Sequence, residues 1–293
     1  MSWQNRVVCG FFRVAMRPAF TTAEKGEQML AHAQGPGTPP RRLLRRHPVT
    51  SRRVAGHDVH TVEPAAGIRS DAIVLYLHGG SYINQVIKQH WDLIADIADA
   101  TGCAVEVPIY PLAPSATLPQ MLDFLLEVVD TLPATKIRVA GDSAGGGLAL
   151  LLAQRLRDRG TSPVESVVVM APWLDLAMDN PGIDAVEAID PWLARPAMRP
   201  IAAAVAGDVP VDDPRVSPVR GDLAGLPPIT VHVGTRDITL PDCRLLVERV
   251  HAAGGAAELV ESPGSPHVHP MLPTPEGRAA RASLLSTLAA GAR

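Results

Sequence analysis

Gly141-Asp142-Ser143-Ala144-Gly145 sets a serine between two glycines. The spacing matches the G-x-S-x-G turn, where a strained backbone between strand and helix turns a serine hydroxyl outward. The glycines are needed because a Cβ there would meet neighbouring backbone. A helix leaving the serine aims its first amides at the site and favours negative charge. With 24 glycines in 293 residues, chance supplies such a match in roughly a tenth of chains, so the turn needs partners. Leu77-His78-Gly79-Gly80-Ser81-Tyr82 is one. Acyl transfer builds an oxyanion that pre-aimed N–H groups must meet. The expected donors are the amides of Gly79 and Gly80, joined by that of Ala144. An acid and a base follow downstream: Asp237 closes Gly234-Thr235-Arg236-Asp237, and His267 lies in a later loop. Ser, Asp, His is the chain order of a hydrolase triad on this kind of scaffold. Ser143 would be the nucleophile, His267 the general base and Asp237 the group orienting the imidazole. Two rivals stand close by. His269 is read as a surface or hydrogen-bonded histidine, and Asp242 as a carboxylate in the first turn of a helix.

These residues need a scaffold that brings strand ends together. Continuous apolar runs predict strands over 72–77, 104–109, 137–140, 164–170, 229–233 and 257–260. Helical spacing predicts helices over 89–100, 118–132, 144–159, 241–253 and 275–290. Strands of this kind alternating with helices imply an α/β fold, a mostly parallel sheet flanked by helices on both faces. Two segments break the rhythm. Residues 1–45 carry an amphipathic pattern (Val8, Phe11, Phe12, Ala15) before the linker 35–40, and residues 178–212 interrupt two strands. An insertion there lies over the strand carboxyl ends, where such sheets bind ligands. The two segments are therefore read as one helical cap, on a core of residues 46–177 and 213–293. Tyr82, Trp91 and Trp192 are candidate lining for the substrate pocket.

Composition narrows the partners. Apolar residues make up 46% and charged residues 19%, which suits a packed core, and the net charge of −3 gives no case for nucleic acid. No apolar run reaches the ~18–20 residues of a membrane span. Arg6, Arg13 and Arg17 interrupt the first twenty residues, unlike a secretory signal. Cys9, Cys103 and Cys243 are odd in number and lack metal-ligand spacing, so a reducing cytoplasm and no metal are expected. The arginines at 41, 42, 45, 46, 52 and 53 are read as a solvated strand and its approach. The expected partner is a small ester, with a homodimer left open.

Taken together, His78-Gly79-Gly80, Tyr110-Pro111-Leu112-Ala113-Pro114, Gly141 to Gly146, Asp213 to Pro218, Gly225 to Pro228, Gly234 to Asp237 and Pro266-His267 resemble the hormone-sensitive-lipase-like family of bacterial esterases. The resemblance spans about residues 72 to 270. It implies an eight-stranded α/β-hydrolase core with a helical cap, a Ser-Asp-His triad, no cofactor, and short- to medium-chain acyl esters as substrates. Thr235-Arg236-Asp237 and Leu240-Pro241-Asp242 look closest to actinobacterial members, some of them lactone hydrolases. Departures are Ser81 where a third glycine is common, Ser115 where a glutamate often follows Ala-Pro, and His269 in place of an aromatic. Lactone, amide or carbamate hydrolysis shares the same acyl step, and a ligand-binding module on a hydrolase scaffold is the remaining alternative. With His267 as base, the rate is expected to fall around or below the unperturbed imidazole pKa of ~6.5. A profile flat from about pH 5 to pH 8 would contradict a histidine base.

Overall fold

The apolar runs and helical stripes become eight strands and ten helices in the computed structural model, which describes residues 1–290 except 33, 34, 36, 135 and 161. Pro36 of the expected linker and the last three residues of the expected core segment lie outside the described residues. The strands are β1 (Val49–Val54), β2 (His57–Val62), β3 (Ile73–Leu77), β4 (Ala104–Pro108), β5 (Ile137–Asp142), β6 (Val164–Met170), β7 (Ile229–Gly234) and β8 (Ala257–Ser262). The helices are α1 (Trp3–Phe11), α2 (Ala23–Leu30), α3 (Arg41–Leu44), α4 (Lys88–Thr101), α5 (Leu118–Asp130), α6 (Ala144–Asp158), α7 (Ile183–Glu187), α8 (Arg195–Ala206), α9 (Leu240–Ala252) and α10 (Pro275–Ala290).

One sheet holds all eight strands in the order β1-β2-β4-β3-β5-β6-β7-β8. From β4 to β8 every neighbouring pair is parallel, while β2 is antiparallel to both β1 and β4. The β1–β2 hairpin escapes an apolar-run reading because its edge position leaves Arg52, Arg53 and Asp58 facing water or a single partner. Its turn, Ala55-Gly56, has positive φ at both residues (46° and 82°), the geometry that suits the twist of a two-residue hairpin. Arg52 is not merely solvated: its guanidinium donates to the buried Glu106 carboxylate of β4 at 2.5 Å.

The period-2 alternation of strands separates two cores. Leu75 and Leu77 of β3 face α5, α6 and α9, whereas Val74 and Tyr76 face Trp91 and Ile94 of α4 and Leu284 and Leu288 of α10. All the central strands therefore end on one edge, between two helical layers.

The segments read as a cap meet above that edge. Helix α2 packs on α8 closely enough that a Cβ built at Gly26 would lie 2.2 Å from the Ala197 carbonyl oxygen and 2.6 Å from Pro200 Cγ. The Arg17 guanidinium donates to the carbonyls of Glu187 (2.9 Å), Leu193 (2.8 Å) and Asp190, all in the insertion. Gly26→Leu is accordingly expected to destabilise the protein by about 1–3 kcal/mol through overpacking, read as a lower urea midpoint.

Candidate active site

The last residue of β5 is Asp142 and the first of α6 is Ala144, so the whole change of direction falls on Ser143. Ser143 takes φ 50°, ψ −119°, a conformation that L-residues rarely adopt. Two glycines make the turn sterically feasible. A Cβ at Gly145 would lie 2.0 Å from Leu77 O and 2.5 Å from His78 O, and one at Gly141 would lie 2.6 Å from Gly145 O. Backbone bonds hold the strained residue: Ser143 N–H donates to Met170 O (2.9 Å), and Trp173 N–H donates to Ser143 O (2.9 Å).

The loops after β7 and β8 bring the other two residues to this serine. His267 Nδ1 lies 2.9 Å from Asp237 Oδ2, and His267 Nε2 lies 2.9 Å from Ser143 Oγ. A carboxylate oxygen accepts, so the imidazole proton sits on Nδ1 and the Nε2 lone pair faces the Ser143 hydroxyl. The second Asp237 oxygen accepts from Thr239 N–H (3.0 Å) and Thr239 Oγ–H (2.9 Å), which fixes the carboxylate plane. All three side chains are buried. Burial pulls the His267 pKa down, but the Asp237 charge, its hydrogen bond, and the charges of Asp190 and Asp142 outweigh it, leaving His267 above its ordinary value. The sum favours an imidazolium near three carboxylates.

The two rivals sit elsewhere in the network. Asp242 lies in the first turn of α9 and accepts from Asn180 Nδ2 at 2.9 Å. His269 corrects the expectation of a surface or satisfied histidine. It is fully buried, neither ring nitrogen has a partner among the described residues, and burial holds its pKa down at about 4. It is a neutral packing group next to the His267 loop.

The oxyanion loop also departs from expectation. Gly79 N–H, expected to face the oxyanion, instead donates to Asp142 Oδ1 at 2.9 Å. Asp142 is a buried anchor: it accepts from Tyr76 O–H at 2.7 Å, and His90 Nε2 lies 3.3 Å from its other oxygen. His90 Nδ1 accepts from Ile87 N–H (3.0 Å), so Nε2 carries the proton directed at Asp142. Burial pushes the Asp142 pKa up, but His90 and these hydrogen bonds override it, and the carboxyl ends below its ordinary value. Among the described residues, the amides of Gly80, Ser81 and Ala144 have no protein acceptor. Gly80, Ser81 and Tyr82 all have positive φ, so the loop turns sharply immediately after its anchor.

The three candidate pocket residues separate. Trp192 packs edge-on against His267 (centroids 5.7 Å apart) and tilted against Phe12 at 4.8 Å, tying the N-terminal segment and the insertion to His267. Tyr82 is buried beside Trp173, its hydroxyl unpartnered among the described residues and close to Gly147 at the start of α6. Trp91 does not belong here. It packs between the sheet and α10 with Val74, Tyr76 and Ile94, on the face away from Trp192, because the apolar stripe of α4 must point at the sheet. The residue missed at the sequence level is Asp190, whose carboxylate accepts from Ile238 N–H, next to Asp237, at 2.8 Å. An Asp-Pro dipeptide in an insertion carries no signal for that contact.

Comparison with known proteins gives the family of the chain. Residues 74–271 match the alpha/beta hydrolase fold family, nearly the span covered by the sequence motifs. An acetyl-hydrolase of Streptomyces hygroscopicus is 34% identical over 216 residues, 71% of this chain and 72% of that protein. An esterase of Acinetobacter venetianus is 31% identical over 207 residues, 69% of this chain and 68% of its own. The crystal structure of an esterase from the bacterial hormone-sensitive lipase family is similar with a TM-score of 0.82 at 29% identity, covering 100% of this chain and 99% of that one. The chain belongs to the alpha/beta-hydrolase family, among its hormone-sensitive-lipase-like esterases.

Proposed function

We propose that this chain hydrolyses carboxylic esters of short to medium acyl length through an acyl-enzyme on Ser143. The observation that carries the reading is the unbroken relay from Asp237 Oδ2 to His267 Nδ1 and from His267 Nε2 to Ser143 Oγ, each step 2.9 Å. Ser143 Oγ attacks the ester carbonyl carbon as its proton passes to His267 Nε2. The carbonyl oxygen becomes an oxyanion held by the amides of Ala144 and Gly80, with the Ser81 amide beside them in place of Gly79. Collapse expels the alcohol, which takes the proton from His267 and leaves the acyl group on Ser143. Water then attacks the acyl carbon as one of its protons passes to His267, and the bond to Ser143 Oγ breaks as His267 returns that proton to Oγ, releasing the acid. Asp237 holds the tautomer throughout and stabilises the imidazolium in both halves.

Residues 1–45 and 178–212 act as the cap over this site. The packing of α2 on α8 and of Phe12 on Trp192 supports that role. An apolar cover of this kind, with Trp192 against His267 and Phe12 against Trp192, suits an apolar acyl group. Among the described residues, no helix is long and apolar enough to cross a membrane. Three buried, unpaired cysteines are in keeping with a reducing cytoplasm as the working compartment.

Ser143→Ala is expected to lower kcat on p-nitrophenyl acetate and butyrate by roughly 10⁴-fold or more, since a triad loses most of its effect when one member goes. Wild-type turnover by that variant would end the assignment. A panel of graded acyl esters is expected to peak at short chains and to fall for long ones. The pH dependence follows from His267, whose imidazolium is favoured by the neighbouring carboxylates. The base works only when neutral, so kcat/KM is lost as pH falls through the raised pKa. The acid limb therefore lies above the ordinary imidazole value of ~6.5, rather than around or below it. A limb at or below that value would contradict the environment described for His267.

A further inference from the structure

Asp190 belongs to the insertion, and its side chain is fully buried. Oδ1 accepts from Trp192 N–H (2.7 Å) and Leu193 N–H (2.9 Å), the pattern of a local turn. Such a turn needs only that one oxygen. Oδ2 reaches across to Ile238 N–H at 2.8 Å, in the loop that presents Asp237. The backbone of the same turn is held from a third segment, since Arg17 donates to the carbonyls of Glu187, Asp190 and Leu193. Arg236 Nε adds a bond to Ile189 O at 3.2 Å. Among the described residues no cationic side chain forms an ion pair with the Asp190 carboxylate, so a second buried acid stands beside Asp237. The hydrolytic steps described above do not use it.

We infer that Asp190 is a positioning residue for the proposed hydrolysis: it fastens the acid loop to the insertion, so that Asp237 and Trp192 hold His267 from two sides, and its charge stabilises the imidazolium. The inference rests on reading Ser143, His267 and Asp237 as the triad. Trp192 is two residues from Asp190 and packs edge-on against His267, so one carboxylate sets both the ring's neighbour and the loop of its acid. A neutral group could make the turn, but it could not make that turn, reach Ile238 as an acceptor and carry charge together.

The charged and titratable groups around Asp190 are Asp237 and His267 from the loops after β7 and β8, Arg236 from the acid loop, and Arg17 and Cys9 from the N-terminal segment. Burial, reinforced by the Asp237 charge, raises the Asp190 carboxyl above its ordinary value, against the pull of its three N–H donors. Its charge in turn is among those that raise His267. Removing that charge therefore moves the acid limb of kcat/KM toward lower pH, whereas loss of a merely structural bond would reduce the rate without moving the limb.

The test is Asp190→Asn, with the competent fraction counted by organophosphonate labelling of Ser143. The expected result is a kcat lower by roughly tenfold per labelled site, KM within about twofold, and an acid limb shifted down by roughly half a pH unit or more. An unmoved limb, with activity lost only in proportion to labelling, overturns the inference. If that variant does not fold, Arg17→Lys keeps the carboxylate and its three donors and loosens only the turn carrying them. It is expected to lower kcat while leaving the acid limb in place, because the Asp190 charge stays, and a wild-type kcat would overturn the inference. Failure of the triad reading is distinct, because it would appear as an unlabelled wild type or an active Ser143→Ala.

Discussion

One steric constraint underlies the site: α6 starts so close to β3 that no side chain fits at Gly145, where a Cβ would lie 2.0 Å from Leu77 O. That closeness forces the turn at Ser143 into a conformation costing of the order of 1–3 kcal/mol. The cost persists because the parallel sheet holds both neighbours of the turn. Ser143 N–H is bonded to the end of β6, and Ser143 O accepts from Trp173 beyond it. A strained serine is thus a product of strand packing. The strain turns Oγ away from the backbone, toward the point where the loops after β7 and β8 arrive.

Electrostatics follow from the same enclosure. The site is buried, which alone would keep a histidine neutral and a carboxylate protonated. Each group escapes through specific partners. Asp142 is held charged by Tyr76, Gly79 and His90, and through Gly79 it locks the oxyanion loop onto the turn. His267 is pulled toward its charged form by the carboxylates around it. For His78 and His269 burial prevails over the weaker pull of Asp142 and of Asp237, and each is held down at about 4 as a neutral packing group. Of these three histidines, His267 is the one hydrogen-bonded to a carboxylate.

The N-terminal segment and the insertion take part in this arrangement through their contacts. Phe12 packs on Trp192, Trp192 packs on His267, and Arg17 secures the turn whose side chain reaches the acid loop. A change of position in these segments is therefore felt at His267 and at the loop of Asp237. A cap joined to the core only by apolar contacts could slide without that consequence.

The sequence by itself determined the strand–turn–helix around Ser143 and the six parallel strands, and it singled out Asp237 and His267, which the fold brings within hydrogen-bonding distance of each other and of Ser143. These rest on local rules: apolar runs, helical period, and glycines where a Cβ cannot fit. Two residues apart in the chain, His267 and His269 look alike, and only their placement in the loop after β8 separates them. Tertiary structure alone decided which amide of the Gly79-Gly80 pair stays unengaged, because the Asp142 side chain that claims Gly79 comes from another strand. It likewise put Trp91 on the far face of the sheet and Asp190 against the acid loop. Contacts between segments distant in sequence leave no period and no spacing to read, because they are set by how layers stack.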